Sequence, residues 1–202
     1  MTNIDQAMSV TSKTYTKRTS IFDRNLNRIR GAEISQAAFS FLFAEIVRYT
    51  QKRVDGMCEL EKRLNGQGYK VGQKLLELVN WREKKYRRET KVLGILQFIF
   101  SSVWRALFNK QADALEKSRE NEDEYMIVDN EPMVNKYISV PKEMGYFDCA
   151  SFVAGIVEAI MDGSQFPSKV TAHSVPIQGF PNRTVILIKV DERVLERERY
   201  IK

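Results

Sequence analysis

Hydrophobic periodicity changes character once along this chain, near Phe108, and that change restricts the fold more than any single motif does. Up to Phe108 the apolar residues recur at helical spacing; beyond it they gather in short runs of β-type residues. A helix-rich half followed by a strand-rich half is the pattern of an α/β protein of the α+β kind, with helices beside a small antiparallel sheet. The composition agrees. With 202 residues, 43% hydrophobic and 29% charged, the chain is neither collagen-like nor wholly disordered. At about 150 residues per domain the length suits one domain with a tail.

Ser35 marks the start of the first helix, with Ile34 placed to staple onto Phe39. Its apolar residues occupy two sides. Phe39, Phe43, Ile46 and Val47 form an i, i+4, i+7, i+8 stripe, and Phe41, Leu42 and Tyr49 lie around the cylinder. Such a helix is either wrapped by its own domain or sandwiched between that domain and a partner protein. We assign the stripe Phe39, Phe43, Ile46 and Val47 to a protein interface. Met57 to Leu64 and Val71 to Trp81 read as two further helices, separated at Gly66-Gln67-Gly68 by a hairpin or sharp kink. An apolar helix from Val92 to Phe108 follows, and its uncharged run, Val92 to Trp104, is too short to cross a membrane, which takes about 20 residues.

Tyr125 to Val128 and Tyr137 to Val140 read as short extended runs. Asp148 is placed to cap a helix running through Met161 and ended by Gly163, and Lys169 to Val175 and Arg183 to Val190 are the clearest strands. The expected fold is four or five helices beside a small antiparallel sheet.

Residues 1–20 hold eight Ser or Thr and almost no large apolar groups, so no burial offsets the entropy of ordering them. They are expected to be a disordered tail, leaving residues 21–202 as a single domain. Ile21 to Gly31, with Arg24, Arg28 and Arg30, is a basic lead-in to the first helix. No secretory h-region opens the chain, so it is expected to be cytoplasmic.

Sites for chemistry are scarce. His173 is the single histidine and is assigned a structural or surface role; no nucleophile elbow, zinc-binding His pair or P-loop is present. Cys58 and Cys149 lack metal-ligand spacing and are expected to be buried small apolar residues. Gly66, Gly68 and Gly72 miss the dinucleotide fingerprint by one residue and follow a helical run where a strand is required, so they are assigned to a helix terminus and close packing. No catalytic residue, cofactor site or metal site is assigned. From Trp81 to Lys91 six basic residues face two acidic ones. This patch is assigned to a solvated helix end or an acidic partner in preference to nucleic acid, with an anionic membrane left open.

Several stretches, in order, resemble the small subunits of the transport protein particle (TRAPP) tethering complex, closest to the subunit-5 type. They include Ala37 to Val47, Gly68-Tyr69-Lys70-Val71-Gly72, Arg88-Glu89-Thr90-Lys91-Val92-Leu93-Gly94, Tyr137 to Glu143, Cys149 to Ala159 and Phe166 to His173. The resemblance implies helices packed on one face of a four-stranded antiparallel sheet, with Gln111 to Glu120 largely strand, and heterodimers formed through the first helices. It implies a non-enzymatic scaffold subunit of a vesicle-tethering complex that exchanges guanine nucleotide on a Rab GTPase in endoplasmic reticulum to Golgi transport. Partners would be an acyl-carrying family member on one side and a smaller subunit on the other, with the Rab and the membrane met through the complex. The acylated member's cysteine is replaced here by the region Lys84-Lys85-Tyr86, so no acylation is expected. The loop Pro176 to Asn182 looks longer than the family norm. The alternative is a small-molecule or acyl-chain binding domain of the same fold.

Deleting residues 1–20 is expected to leave the melting temperature nearly unchanged. A loss of more than a few degrees in a thermal scan would show the tail to be docked.

Overall fold

The computed structural model describes residues 35–83, 88–140 and 147–200. The expected tail, the basic lead-in, the Ile34 staple and Lys84-Lys85-Tyr86 lie outside them. The chain order begins α1 (Gln36–Gln51), α2 (Met57–Glu83), α3 (Val92–Phe98) and α4 (Trp104–Phe108). It continues β1 (Ala114–Lys117), β2 (Glu124–Asp129), α5 (Ser151–Gly163), β3 (Ser168–Ser174), β4 (Thr184–Val190) and α6 (Glu192–Tyr200).

A π-helical turn, Ile99–Val103, fuses α3 and α4 into one apolar helix. The N–H of Trp104 reaches back to Ile99 O across five residues, which keeps Trp104 on the same buried side as Ile95, Ile99 and Val103. With that fusion, five helices among the described residues pack with a four-stranded antiparallel sheet of order β1-β2-β4-β3. The two hairpins meet along β2 and β4, where Ile127 stands opposite Ile186; β3 joins with Val170 opposite Ile188.

Alternation along β4 separates the faces. Thr184, Ile186, Ile188 and Val190 are buried, while Lys189 is exposed. The buried face meets Val153, Ile156, Val157 and Ile160 of α5 in one apolar core. Trp104 crosses that core and donates its indole Nε1–H to Asp129 Oδ2 at 3.3 Å. Lys110 Nζ holds the other oxygen of this buried carboxylate at 2.6 Å.

Four expectations are corrected. The break at Gly66-Gln67-Gly68 is absent, because α2 runs unbroken through it. Gly68 and Gly72 instead face α5. A Cβ on Gly68 would overlap Phe152 O, and one on Gly72 would stand 2.8 Å from that of Ala159. Gly155 answers from α5, where a Cβ would overlap Asn65 O. Asn65 donates to Glu158 at 3.0 Å and Tyr69 OH to Asp162 at 2.9 Å, fixing the register of the two helices. Burial raises the Glu158 carboxyl above its ordinary range, against the Asn65 hydrogen bond.

Tyr137–Val140 does not join the sheet; Ile138 and Val140 pack on the core from irregular backbone. Asp148 holds the turn that leads into α5, as expected: its backbone carbonyl accepts from Ser151 N at 3.1 Å and its buried carboxylate from Ala150 N at 2.8 Å. The same carboxylate accepts from Asn135 Nδ2 (2.8 Å) and Thr184 Oγ1 (3.0 Å), tying the helix approach to β4. Within Gln111 to Glu120 only Ala114–Lys117 is strand. The Ser35 side chain makes no capping hydrogen bond, although α1 starts where it was expected.

Gly72→Ala is expected to cost about 1–3 kcal/mol by forcing α2 from α5. Gly66→Ala, whose Cβ meets nothing within 4 Å, should be neutral or gain up to about 1 kcal/mol. Urea unfolding midpoints of the two variants check the contrast.

Candidate interaction surface on the first helix

The arrangement of α1 follows from helical geometry and the position of α5. Phe43, Val47 and Thr50 are buried. Phe43 stacks on Phe39 with ring centroids 5.7 Å apart and meets the Phe152 ring edge-on at 5.4 Å. Thr50 returns its hydroxyl to Ile46 O at 2.7 Å and accepts from Gln67 of α2 at 3.2 Å. Phe39 and Ile46 are half-buried against the same core.

The stripe assigned to an interface, Phe39, Phe43, Ile46 and Val47, is therefore the domain's own core face, and that assignment is corrected. Phe41, Leu42 and Tyr49 stand on the outward side, 78%, 63% and 53% exposed. Among them runs a charged pair, Glu45 with Arg48 at 3.7 Å, and Arg53 lies 3.5 Å over the Tyr49 ring. Periodicity alone gives both stripes equal standing. The signal that separates them is charge: Glu45, Arg48 and Lys52 share the side of Leu42 and Tyr49, whereas the inward stripe ends on the short Thr50. A rigid helix presenting large apolar groups with a charged margin has the make-up of a protein-docking surface.

The chemistry-bearing residues do not converge. His173 is exposed on β3, its Nε2 within 2.8 Å of Thr171 Oγ1. Cys149 is buried, and burial, aided by the Asp148 charge, pushes its thiol up to about 12, far from a reactive thiolate. Cys58 is exposed, contrary to expectation, because it sits two residues before buried Leu60 and so turns away from α5. Among the described residues no His, Cys, Asp and Glu group could hold a metal ion, and no helix is long and apolar enough to cross a membrane.

An open hollow of about 630 Å³ lies beside Asn135, Tyr137, Asp148, Pro176 and Asn182. Its rim mixes polar and apolar groups, unlike a sheath for an acyl chain. Between the helices and the sheet the space is filled by Trp104, Leu96, Ile99 and Met161, each at most 1% exposed. The loop Pro176 to Asn182 is an ordered hairpin tip, closed by mutual hydrogen bonds of Ile177 and Phe180, with Gly179 at φ 93° supplying the turn.

Residues 39–191 match the family model described as "Transport protein particle (TRAPP) component". The chain is 52% identical to trafficking protein particle complex subunit 5 of Dictyostelium discoideum, over 88% of this chain and 95% of that protein. Its identity to the Homo sapiens subunit 5 is 44%, covering 92% of this chain and 95% of the relative. In fold it is similar to a crystal structure of subunit 3 from Naegleria fowleri covalently bound to palmitic acid. That likeness has a TM-score of 0.67 at 14% identity and covers 78% of this chain and 95% of the other.

Phe43→Ala is expected to cost about 3–5 kcal/mol through the cavity it leaves in the core. Phe41→Ala should change stability by no more than about 0.5 kcal/mol. Thermal unfolding followed by circular dichroism separates the inward from the outward stripe.

Proposed function

Because the chain belongs to the transport protein particle (TRAPP) component family, we propose that it is a non-enzymatic scaffold subunit of the vesicle-tethering complex. Its first helix would seat a neighbouring subunit. The observation that carries this reading is the outward stripe of α1, where Phe41 and Leu42 are held exposed by a helix whose other side is locked into the core. Leaving such groups in water loses about 1.5–3 kcal/mol per fully buried side chain, which a partner recovers.

The neighbour expected at α1 is the acyl-carrying member of the same family, and a smaller subunit is expected at a second surface. Joined in this way, the chain acts by holding others in place. The assembled complex would exchange guanine nucleotide on a Rab GTPase at endoplasmic reticulum and Golgi membranes, with this subunit supplying position and no reacting group. The scattered placement of His173, Cys58 and Cys149 supports that division of labour.

Replacing Phe41 and Leu42 together by Glu is expected to leave the fold intact and weaken pairing with the neighbouring subunit by more than about 30-fold, as for an interface hot spot of about 2 kcal/mol or more. Co-purification of tagged subunits, with helicity checked in parallel, reads the outcome. A doubly substituted chain that still pairs at full strength would remove α1 from the interface.

A further inference from the structure

The face of the sheet turned away from α5 is absorbed neither by the core nor by the α1 surface. Along β4, Val185, Leu187 and Lys189 alternate with the buried Ile186 and Ile188 and so stand on that outer face. The register with β2 sets Val128, Met126 and Glu124 opposite them. None of Met126, Val128, Val185 and Leu187 belongs to the core, although every helix among the described residues sends a buried residue there. Met126, Val185 and Leu187 are left half-buried beside Val128. The margins of this apolar strip carry opposite charge: Glu116 and Glu124 on β1 and β2, Lys189 and Lys169 on β4 and β3. Within the chain, Lys189 Nζ stands 3.4 Å from Glu124 Oε1 and 3.5 Å from Asp123 Oδ2.

The strand order β1-β2-β4-β3 makes this face self-complementary. A two-fold axis parallel to the strands, laid between two such faces, puts β2 over β4 and β1 over β3. With the rows in register, Met126 of each copy meets Leu187 of the other, Val128 meets Val185, and Glu124 meets Lys189. Glu116 comes over Thr171, with Lys169 two residues along.

We propose that this outer face binds a second copy of the chain, sheet on sheet, about that axis. Aligned sheets pack about 10 Å apart with their facing side chains interdigitated, which takes the apolar strip out of water. The two Glu124–Lys189 pairs become one group of four charges in alternating sign. A single helix of another protein would cover the strip but would leave the matched rows of acids and bases without a role. The contact uses nothing of α1, so it stands or falls apart from the pairing proposed there.

Sedimentation velocity of the full chain at rising concentration tests the contact, on the unaltered chain and on one carrying Phe41→Glu and Leu42→Glu, which removes association through α1. Self-association is expected in both. Leu187→Glu should weaken it by more than about 30-fold. Glu124→Lys alone or Lys189→Glu alone should weaken it about tenfold, because like charges then oppose each other across the axis. An equimolar mixture of those two variants should associate to within about threefold of the unaltered chain, since each then presents the sign the other lacks. Circular dichroism shows that each variant is folded.

A chain that stays monomeric at every concentration overturns the proposal; if Leu187→Glu then weakens co-purification with another subunit, the face seats that subunit instead. Association that disappears with Phe41→Glu and Leu42→Glu, or that Leu187→Glu leaves unchanged, also overturns it. So does a mixture of the two charge variants that associates no better than either alone.

Discussion

The close crossing of α2 and α5 is the contact on which the rest of the domain depends. Gly68 and Gly72 on one helix and Gly155 on the other let the backbones meet where any Cβ would collide. Each glycine in a helix interior costs about 1 kcal/mol relative to alanine. The approach offsets that cost by allowing Asn65 and Tyr69 to reach Glu158 and Asp162. The other face of α5 packs its Val153, Ile156, Val157 and Ile160 in the core with Ile127, Val170, Ile186 and Ile188 of the sheet. One helix thus transmits the position of α2 to all the strands.

From that crossing the placement of α1 follows. Phe152, at the α5 crossing, meets the ring of Phe43, and Gln67 of α2 donates to Thr50. With these anchors in place, the rotation of α1 about its axis is fixed, and Phe41 and Leu42 have nowhere to go but outward. A surface of this kind is rigid before any partner arrives, so little ordering entropy is left to oppose association. Structure and function are linked here through one rotation angle.

A second anchor holds the opposite end of the core. Asp129 is buried, yet its oxygens are shared between the Lys110 ammonium, the Trp104 indole and the Glu131 amide. Removing one partner of such a carboxylate would strand a charge in a dry place, which costs far more than the net gain of making the pair. The π-helical turn belongs to the same arrangement, because it keeps Trp104 turned toward Asp129.

The sequence by itself determined the fold class and the main elements, because those depend on periods of 3.6 and 2 that are written locally. The Val92–Phe108 helix, the β2 run and the β3–β4 pair were legible for that reason, and the ordered stretches from Ala37 to His173 pointed to the family. Three features were not local. Whether Gly66-Gln67-Gly68 ends a helix or seats a neighbour depends on α5, which lies some 85 positions away along the chain. Whether Tyr137–Val140 pairs depends on which edge of the sheet is within reach. Which stripe of α1 faces out is marked locally only by the charges of Glu45, Arg48 and Lys52, which apolar periodicity does not weigh, and is fixed by where Phe152 and Gln67 stand. Tertiary packing decided those, for the physical reason that burial is a property of what lies opposite a residue, and the periodicity of a segment says nothing about its opposite.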